Sequence, residues 1–226
     1  MLAVAQGPFM NRSLNRWFQG CDRCSMPNTP HLGTCDPLPM LPEDFPPDSA
    51  LDCRLCELHE HRTRVIWGEG NPGAPLFVVL DNPGAREDKE GTPFLCGTRQ
   101  TMQTAAKDAG ISLESMYVSF ILKCRPKKAY DKPAARTACI EYLWKQLEEM
   151  QPRTVMCLGN VVCQSFFDDP KAQVKELRGK IHLVKGFKTI TSYHPLAVRR
   201  RPVLYKHFLE DWRLVAAELK STKQTS

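Results

Sequence analysis

From Leu51 onward, apolar and polar positions alternate between strand-like and helix-like periods. Leu76–Leu80 (LFVVL) is a continuous apolar run, as expected of a strand covered on both faces. Residues 81–84 (DNPG) interrupt it with turn chemistry. Residues 98–109 read as a helix that stops at Gly110, a residue suited to the position past a helix end. A second strand is predicted over residues 116–122. Lys132–Met150 reads as a long helix with Pro133 in its first turn. Thr154–Leu158 is a third strand, followed by Gly159 and a helix reaching residue 167. Residues 181–190 hold one or two short strands. Residues 203–219 form a last helix with Leu204, Phe208, Trp212 and Val215 at helical spacing. This alternation predicts an α/β fold of three layers, α/β/α, around a central, mainly parallel four-stranded sheet. Chemistry is expected beyond the carboxyl ends of the strands, in the loops after the first, second and fourth.

The amino-terminal part breaks this rhythm. Pro27, Pro30, Pro37, Pro39, Pro42, Pro46 and Pro47 crowd one stretch, which rules out a regular helix or central strand there. Residues 1–50 are therefore read as an irregular extension, 51–220 as one compact domain and 221–226 as a polar tail. Arg12 and Arg16 precede the first acid, Asp22, a faint likeness to a transit peptide; the plainer reading is a disordered leader.

The chain has 226 residues, 42% of them hydrophobic, enough for a sizeable core. No apolar run has the length of a membrane span, so no membrane partner is expected. A net charge of +6 suits a polyanionic partner without requiring one. Ten cysteines are many for this length. Without a secretory signal, they point to metal or cluster ligands and buried free thiols in a reducing cytosol rather than to disulfides. A bacterial cytoplasmic monomer is expected.

Cys53 and Cys56 form a Cys-x2-Cys pair, while Cys124 and Cys139 lie far downstream and well apart. Four such thiols can converge on an iron–sulfur centre; the spacing of the second pair does not suit a zinc ribbon. On residue type alone, Cys124 and Cys139 read equally well as small core residues. Cys21 and Cys24, near His31 and Cys35, are open to a small zinc site or to none, and the proline density favours none. Cys96, Cys157 and Cys163 are read as structural thiols.

Taken in order, these segments resemble the family-four, iron–sulfur branch of the uracil-DNA glycosylase superfamily. The resemblance runs from Cys53 to Trp212. It begins at CRLCELHEHRTRVIWGEGNPGAPLFVVLDNPG and continues through EDKEGTPF, KCRP, TAC, LGN and LRGK to YHPLAVRRRP. It implies a structural [4Fe-4S] cluster on Cys53, Cys56, Cys124 and Cys139. It further implies a monofunctional hydrolase that removes uracil, or another deaminated base, from DNA and so begins base excision repair.

Such an enzyme holds an extruded base, positions water below the sugar and stabilises charge on the departing base. The resemblance gives Asp81 or Asn82 the water, within a turn completed by Pro83 and Gly84. His194 donates a hydrogen bond to the base oxygen, a role worth about 3 kcal/mol of barrier. Phe94 stacks on the base, at about 1–3 kcal/mol. Arg199 and Arg200, with Arg201, meet DNA phosphates, as do Lys123 and Arg125 in a second basic stretch with Lys127 and Lys128. By residue type alone these are an ordinary turn, a structural histidine, a core phenylalanine and solvated charges.

Three positions depart from the family pattern. Leu80 stands where the first motif has glycine. Phe120 stands where the family's asparagine reads the uracil edge, and is carried as the base-contacting residue at that position. Arg99 replaces a small residue after Phe94. Losing a polar reader relaxes or changes specificity. A catalytically altered or inactive lesion-binding protein on the same fold is therefore the alternative, followed by a protein whose cluster itself senses or transfers electrons.

Overall fold

A computed structural model describes residues 38–85, 87–88 and 97–221. The strands are β1 (Glu43–Asp44), β2 (Gly68–Gly70), β3 (Leu76–Leu80), β4 (Met116–Phe120), β5 (Thr154–Leu158), β6 (Ile181–Val184) and β7 (Phe187–Ser192). The helices are α1 (Asp48–Leu51), α2 (Gly97–Asp108), α3 (Lys132–Met150), α4 (Asn160–Phe166), α5 (Val174–Leu177), α6 (Pro195–Arg200) and α7 (Tyr205–Ser221). One mixed sheet runs in the order β1-β2-β4-β3-β5-β7-β6. Its centre, β4-β3-β5-β7, is parallel throughout. That is the expected four-stranded parallel sheet, extended by three antiparallel strands: β1 and β2 on one edge, β6 on the other.

Side-chain alternation along the central strands fills two cores. Leu76, Val78 and Leu80, with Met116, Val118 and Phe120, face one layer with Met102 of α2, Val198 of α6 and Phe208 and Trp212 of α7. Phe77 and Val79, with Tyr117, Val155 and Cys157, face the other, with Leu143 and Leu147 of α3 and Val162 and Phe166 of α4. Cys157 and Cys163 are fully buried there as free thiols. A third, smaller core gathers Leu58, Val65, Leu122, Cys124, Ala135 and Cys139.

Part of the proline-rich stretch joins the domain. Leu41 is 9% exposed within the first core, β1 pairs with β2, and Tyr117 Oη donates to Asp44 Oδ2 at 2.6 Å. Within the stretch read as irregular extension, Glu43–Asp44 thus form an edge strand and Leu41 joins the core, while most of the rest of 38–47 is irregular as expected. Prolines are tolerated there because an edge strand leaves some N–H groups outside the ladder. Cys21, Cys24, His31, Cys35, Cys96 and the tail after Ser221 lie outside the described residues. Among the described residues no helix is long and apolar enough to cross a membrane.

Candidate active site and thiol cavity

Two loops meet at the carboxyl edge of the sheet. After β3, the backbone stays tied to the segment beyond β4: Ile121 N donates to Leu80 O at 2.9 Å and Leu122 N to Asp81 O at 3.0 Å. The turn then closes on itself. Asp81 Oδ1 accepts from Asn82 N at 2.9 Å, Asn82 Nδ2 donates to Pro83 O at 2.9 Å, and Gly84 N donates to Glu87 Oε2 at 3.0 Å. Asp81 and Asn82 are half-buried, Pro83 is buried and Gly84 exposed.

His194 arrives from the loop after β7, where Pro195 starts α6. Its Nδ1 accepts from Leu196 N at 3.1 Å, capping the helix. That bond fixes the tautomer: with Nδ1 accepting, the neutral ring carries its hydrogen on Nε2. Nε2 lies 3.4 Å from Asp81 Oδ1. Strand β5 stands between β3 and β7, so His194 must reach across its end. The residue there is Gly159, with φ +103°, and a Cβ on it would fall 3.0 Å from His194 Cβ. Only glycine combines that backbone with that clearance. Burial acts to raise the Asp81 carboxyl; the His194 contact and the Asn82 N–H outweigh it, and its pKa lies below the ordinary 3.8.

The other expected site residues divide. Arg199 and Arg200 are exposed in the last turn of α6, beside the site. Gly97, the first residue of α2, is packed so closely on Arg199 that a Cβ would fall 1.4 Å from its Nη1. Arg125 is about one-third exposed and 3.7 Å from Asp88 Oδ2. Lys123 is not a phosphate ligand: it is 1% exposed, with its ammonium 5.1 Å above the Trp67 ring and bonded to Trp67 O, Ser119 Oγ and Gln146 Oε1. Burial pushes its pKa down to about 7. The chain turns Lys123 inward because the same segment supplies Leu122 and Cys124 to the third core. Phe120 is also corrected. It is 1% exposed and covered by the Arg99 guanidinium, 5.2 Å from the ring centroid, so it offers no open face to a base. Ser119 points to the opposite face of the sheet, toward Gln146 of α3, as alternation requires. Phe94 lies outside the described residues.

Cys53, Cys56, Cys124 and Cys139 line one cavity with Leu58, Arg62, Val65 and Tyr142. Arg62 Nη1 donates to Cys53 O at 2.6 Å and stands 3.9 Å from Cys124 Sγ. Lys123 N donates to Cys139 Sγ at 3.2 Å. Burial pushes the Cys124 thiol up to about 12 and the Cys139 thiol up to about 11. Among the described residues no group of three or more Cys, His, Asp or Glu is drawn together as a single ion requires. A polynuclear cluster holds its thiolates further apart than one ion does, because its metal–sulfide core stands between them. Four thiols around one cavity, with a guanidinium and a backbone N–H directed at sulfur, fit that kind of group.

Sequence reading misses the part that joins the two regions. Asp88 is 2% exposed and accepts from Thr63 N at 3.2 Å and Thr63 Oγ1 at 3.0 Å; Lys127 Nζ is 2.9 Å away. It pins the loop after β3 to the segment following Cys53 and Cys56. Its one sequence signal is its place in the acidic EDKEGTPF segment, where it follows Glu87 directly.

The sequence profile of the uracil DNA glycosylase superfamily matches residues 67–216. The type-4 uracil-DNA glycosylase of Archaeoglobus fulgidus is 33% identical over 77% of this chain and 91% of its own length. That of Thermotoga maritima is 33% identical over 70% of this chain and 85% of its own. That of Sulfurisphaera tokodaii is 28% identical over 74% and 80%. With Asp81 and His194 meeting across β5, and the profile spanning both loops, this chain belongs to the uracil DNA glycosylase superfamily.

Proposed function

We propose that this protein hydrolyses the N-glycosidic bond between uracil and deoxyribose in DNA and so initiates base excision repair. The observation that carries the reading is the approach of His194 Nε2 to Asp81 Oδ1 at the carboxyl edge of the sheet. One group suits the water and the other the leaving base. As the C1′–N bond breaks, its electron pair departs on the base and the sugar takes oxocarbenium character. Asp81, kept ionised, accepts a proton from the water whose oxygen bonds to C1′. Asn82, whose Nδ2 is engaged by Pro83 O, turns Oδ1 to the same water. His194 Nε2–H donates to the base oxygen as negative charge builds. Arg199 and Arg200 take DNA phosphates from the adjoining helix.

Cys53, Cys56, Cys124 and Cys139 would hold a [4Fe-4S] cluster. Bound there, it supplies covalent cross-linking of the 53–56 segment to the end of β4 and to α3, not a reacting centre. The same reading takes the protein as a monomer in the bacterial cytosol.

The test is base release from oligonucleotides carrying one uracil, by anaerobically purified protein of known iron content. Alkali-sensitive cleavage that disappears in His194→Ala, with affinity for the same DNA retained, is the expected result. Retained binding with no release by the unaltered protein would leave a lesion-binding protein instead.

A further inference from the structure

Leu80 and Phe120 end β3 and β4 as a register pair, and both are buried. Neither can hydrogen-bond the edge of a base. The guanidinium of Arg99, in the first turn of α2, lies over Phe120, with Cζ 5.2 Å from the ring centroid. Two residues earlier, Gly97 abuts Arg199 of the helix that His194 caps. This turn of α2 therefore spans from the end of β4 to the His194 side of the site. The Arg99 side chain is 4% exposed. Its Nε lies 2.8 Å from Glu69 Oε1 and 3.7 Å from Glu87 Oε1, which offsets its charge. Yet among the described residues Nε, Nη1 and Nη2 all lack an aligned hydrogen-bond partner. Buried donors left unmade are costly, and a guanidinium is all donor, with no acceptor.

We propose that Arg99 reads the exocyclic oxygen of the extruded base, so that the site admits deaminated bases as a class rather than uracil alone. The proposal rests on the glycosylase reading above. Deamination exchanges an amino donor for an oxo acceptor: cytosine becomes uracil, and adenine becomes hypoxanthine. A donor-only fork meets the oxo group favourably, but leaves donor facing donor when cytosine or adenine enters. It makes no demand on the ring N–H, the demand an amide reader makes through its acceptor. Pyrimidine and purine products of deamination are then alike to it. Guanine and thymine carry the same oxygen, and their exclusion falls to the cost of extruding a correctly paired base. The departing base is anionic, so the guanidinium binds it more strongly as the bond breaks.

The experiment measures base release from one oligonucleotide sequence carrying uracil, hypoxanthine or xanthine, by unaltered, Arg99→Met and Arg99→Lys proteins with full iron. The unaltered protein is expected to release uracil and at least one deaminated purine at rates within about tenfold of each other. Arg99→Met is expected to lower both by about 10²–10³-fold, with affinity for an abasic-site oligonucleotide unchanged. Arg99→Lys keeps the charge beside Glu69 but not the fork, and is expected to fall between. Release of uracil alone by the unaltered protein overturns the proposal and leaves the glycosylase reading intact. So does unchanged release of both bases by folded Arg99→Met or, where that variant does not fold, by Arg99→Lys. No release of any base by iron-replete unaltered protein overturns the glycosylase reading, and this proposal with it.

Discussion

The thiol cavity and the sheet-edge site are neighbours built on opposite electrostatic plans. In the cavity, acids are held protonated: burial pushes Cys124 up to about 12 and Cys139 up to about 11. At the sheet edge an acid is held ionised, with the Asp81 carboxyl below its ordinary value beside His194. The first plan suits groups that become thiolates only when a strongly positive centre arrives to hold them. The second suits a base that must be ready before substrate arrives. On the proposed reading, one region depends on what it binds, whereas the other is set by its own residues.

Breaking the dependent region carries the largest expected effect. Its core is small, and two of its buried members, Cys124 and Cys139, are themselves proposed ligands. Cys139→Ala is expected to lose iron and, because binding energy at a structural centre is folding energy, on the order of 5 kcal/mol of stability. Iron content and thermal melting together check this. A loss of only about 1 kcal/mol, the cost of truncating one buried side chain, would make the cavity an ordinary core. His194→Ala should do the reverse, slowing uracil release by about 10²–10³-fold while leaving the melt alone. Single-turnover kinetics beside calorimetry would expose any mixing of the two effects.

Asp88 tests whether the regions are coupled. It is almost fully buried, while its partners Arg125 and Lys127 keep about one-third of their side-chain surface in water. Asp88→Ala should therefore cost about 2 kcal/mol, less than a fully buried pair would. Urea unfolding measures that cost. If the loop after β3 is positioned through Thr63, turnover falls as well; full turnover at reduced stability would separate the two regions. The basic residues sharpen the comparison by a smaller amount. Arg199→Ala or Arg200→Ala is expected to flatten the salt dependence of DNA binding by about 0.9 in log–log slope for each phosphate no longer neutralised. Lys123→Met should leave the slope unchanged, since its ammonium is spent inside the protein. Affinities measured across a salt series distinguish these cases.

Much of the fold is legible in the sequence where local signals agree with tertiary need. Lys132–Met150 is legible to the residue because its ends are marked: Asp131 caps Ala134 N at 3.0 Å, a proline sits in the first turn, and Gln151 turns left-handed at φ 45°. Strand β2 escapes sequence reading because Gly-Glu-Gly has neither apolar alternation nor strand propensity; its pairing with β4 makes it a strand. The elements around Asp81 and His194 are predictable, but roles for those residues come from resemblance, since each reads as a turn or a cap by itself. Gly159 reads as a strand break, and nothing local says that its missing side chain makes room for a histidine from another loop. Lys123 shows the opposite error. Its charge suggests exposure, although a lysine between Leu122 and Cys124 sits in a segment bound for a core.

The smallest effect is in acid stability, and it probes the sheet-edge plan directly. A carboxyl with a depressed pKa stabilises the fold above its unfolded value, and that contribution is lost as pH falls through the folded one. For Asp81 the unfolded reference is the ordinary 3.8, and the folded value is lower. Above about pH 5 the carboxyl is fully ionised, so its own titration adds no pH dependence to the stability gap between wild type and Asp81→Asn. Below that pH, the two proteins should converge, because the wild-type carboxyl protonates and loses its advantage. Chemical denaturation of both proteins from neutral to strongly acidic pH measures the gap. A gap that instead opens as pH falls would mean that burial, not the His194 contact, governs this carboxyl, and that the base is not held ready.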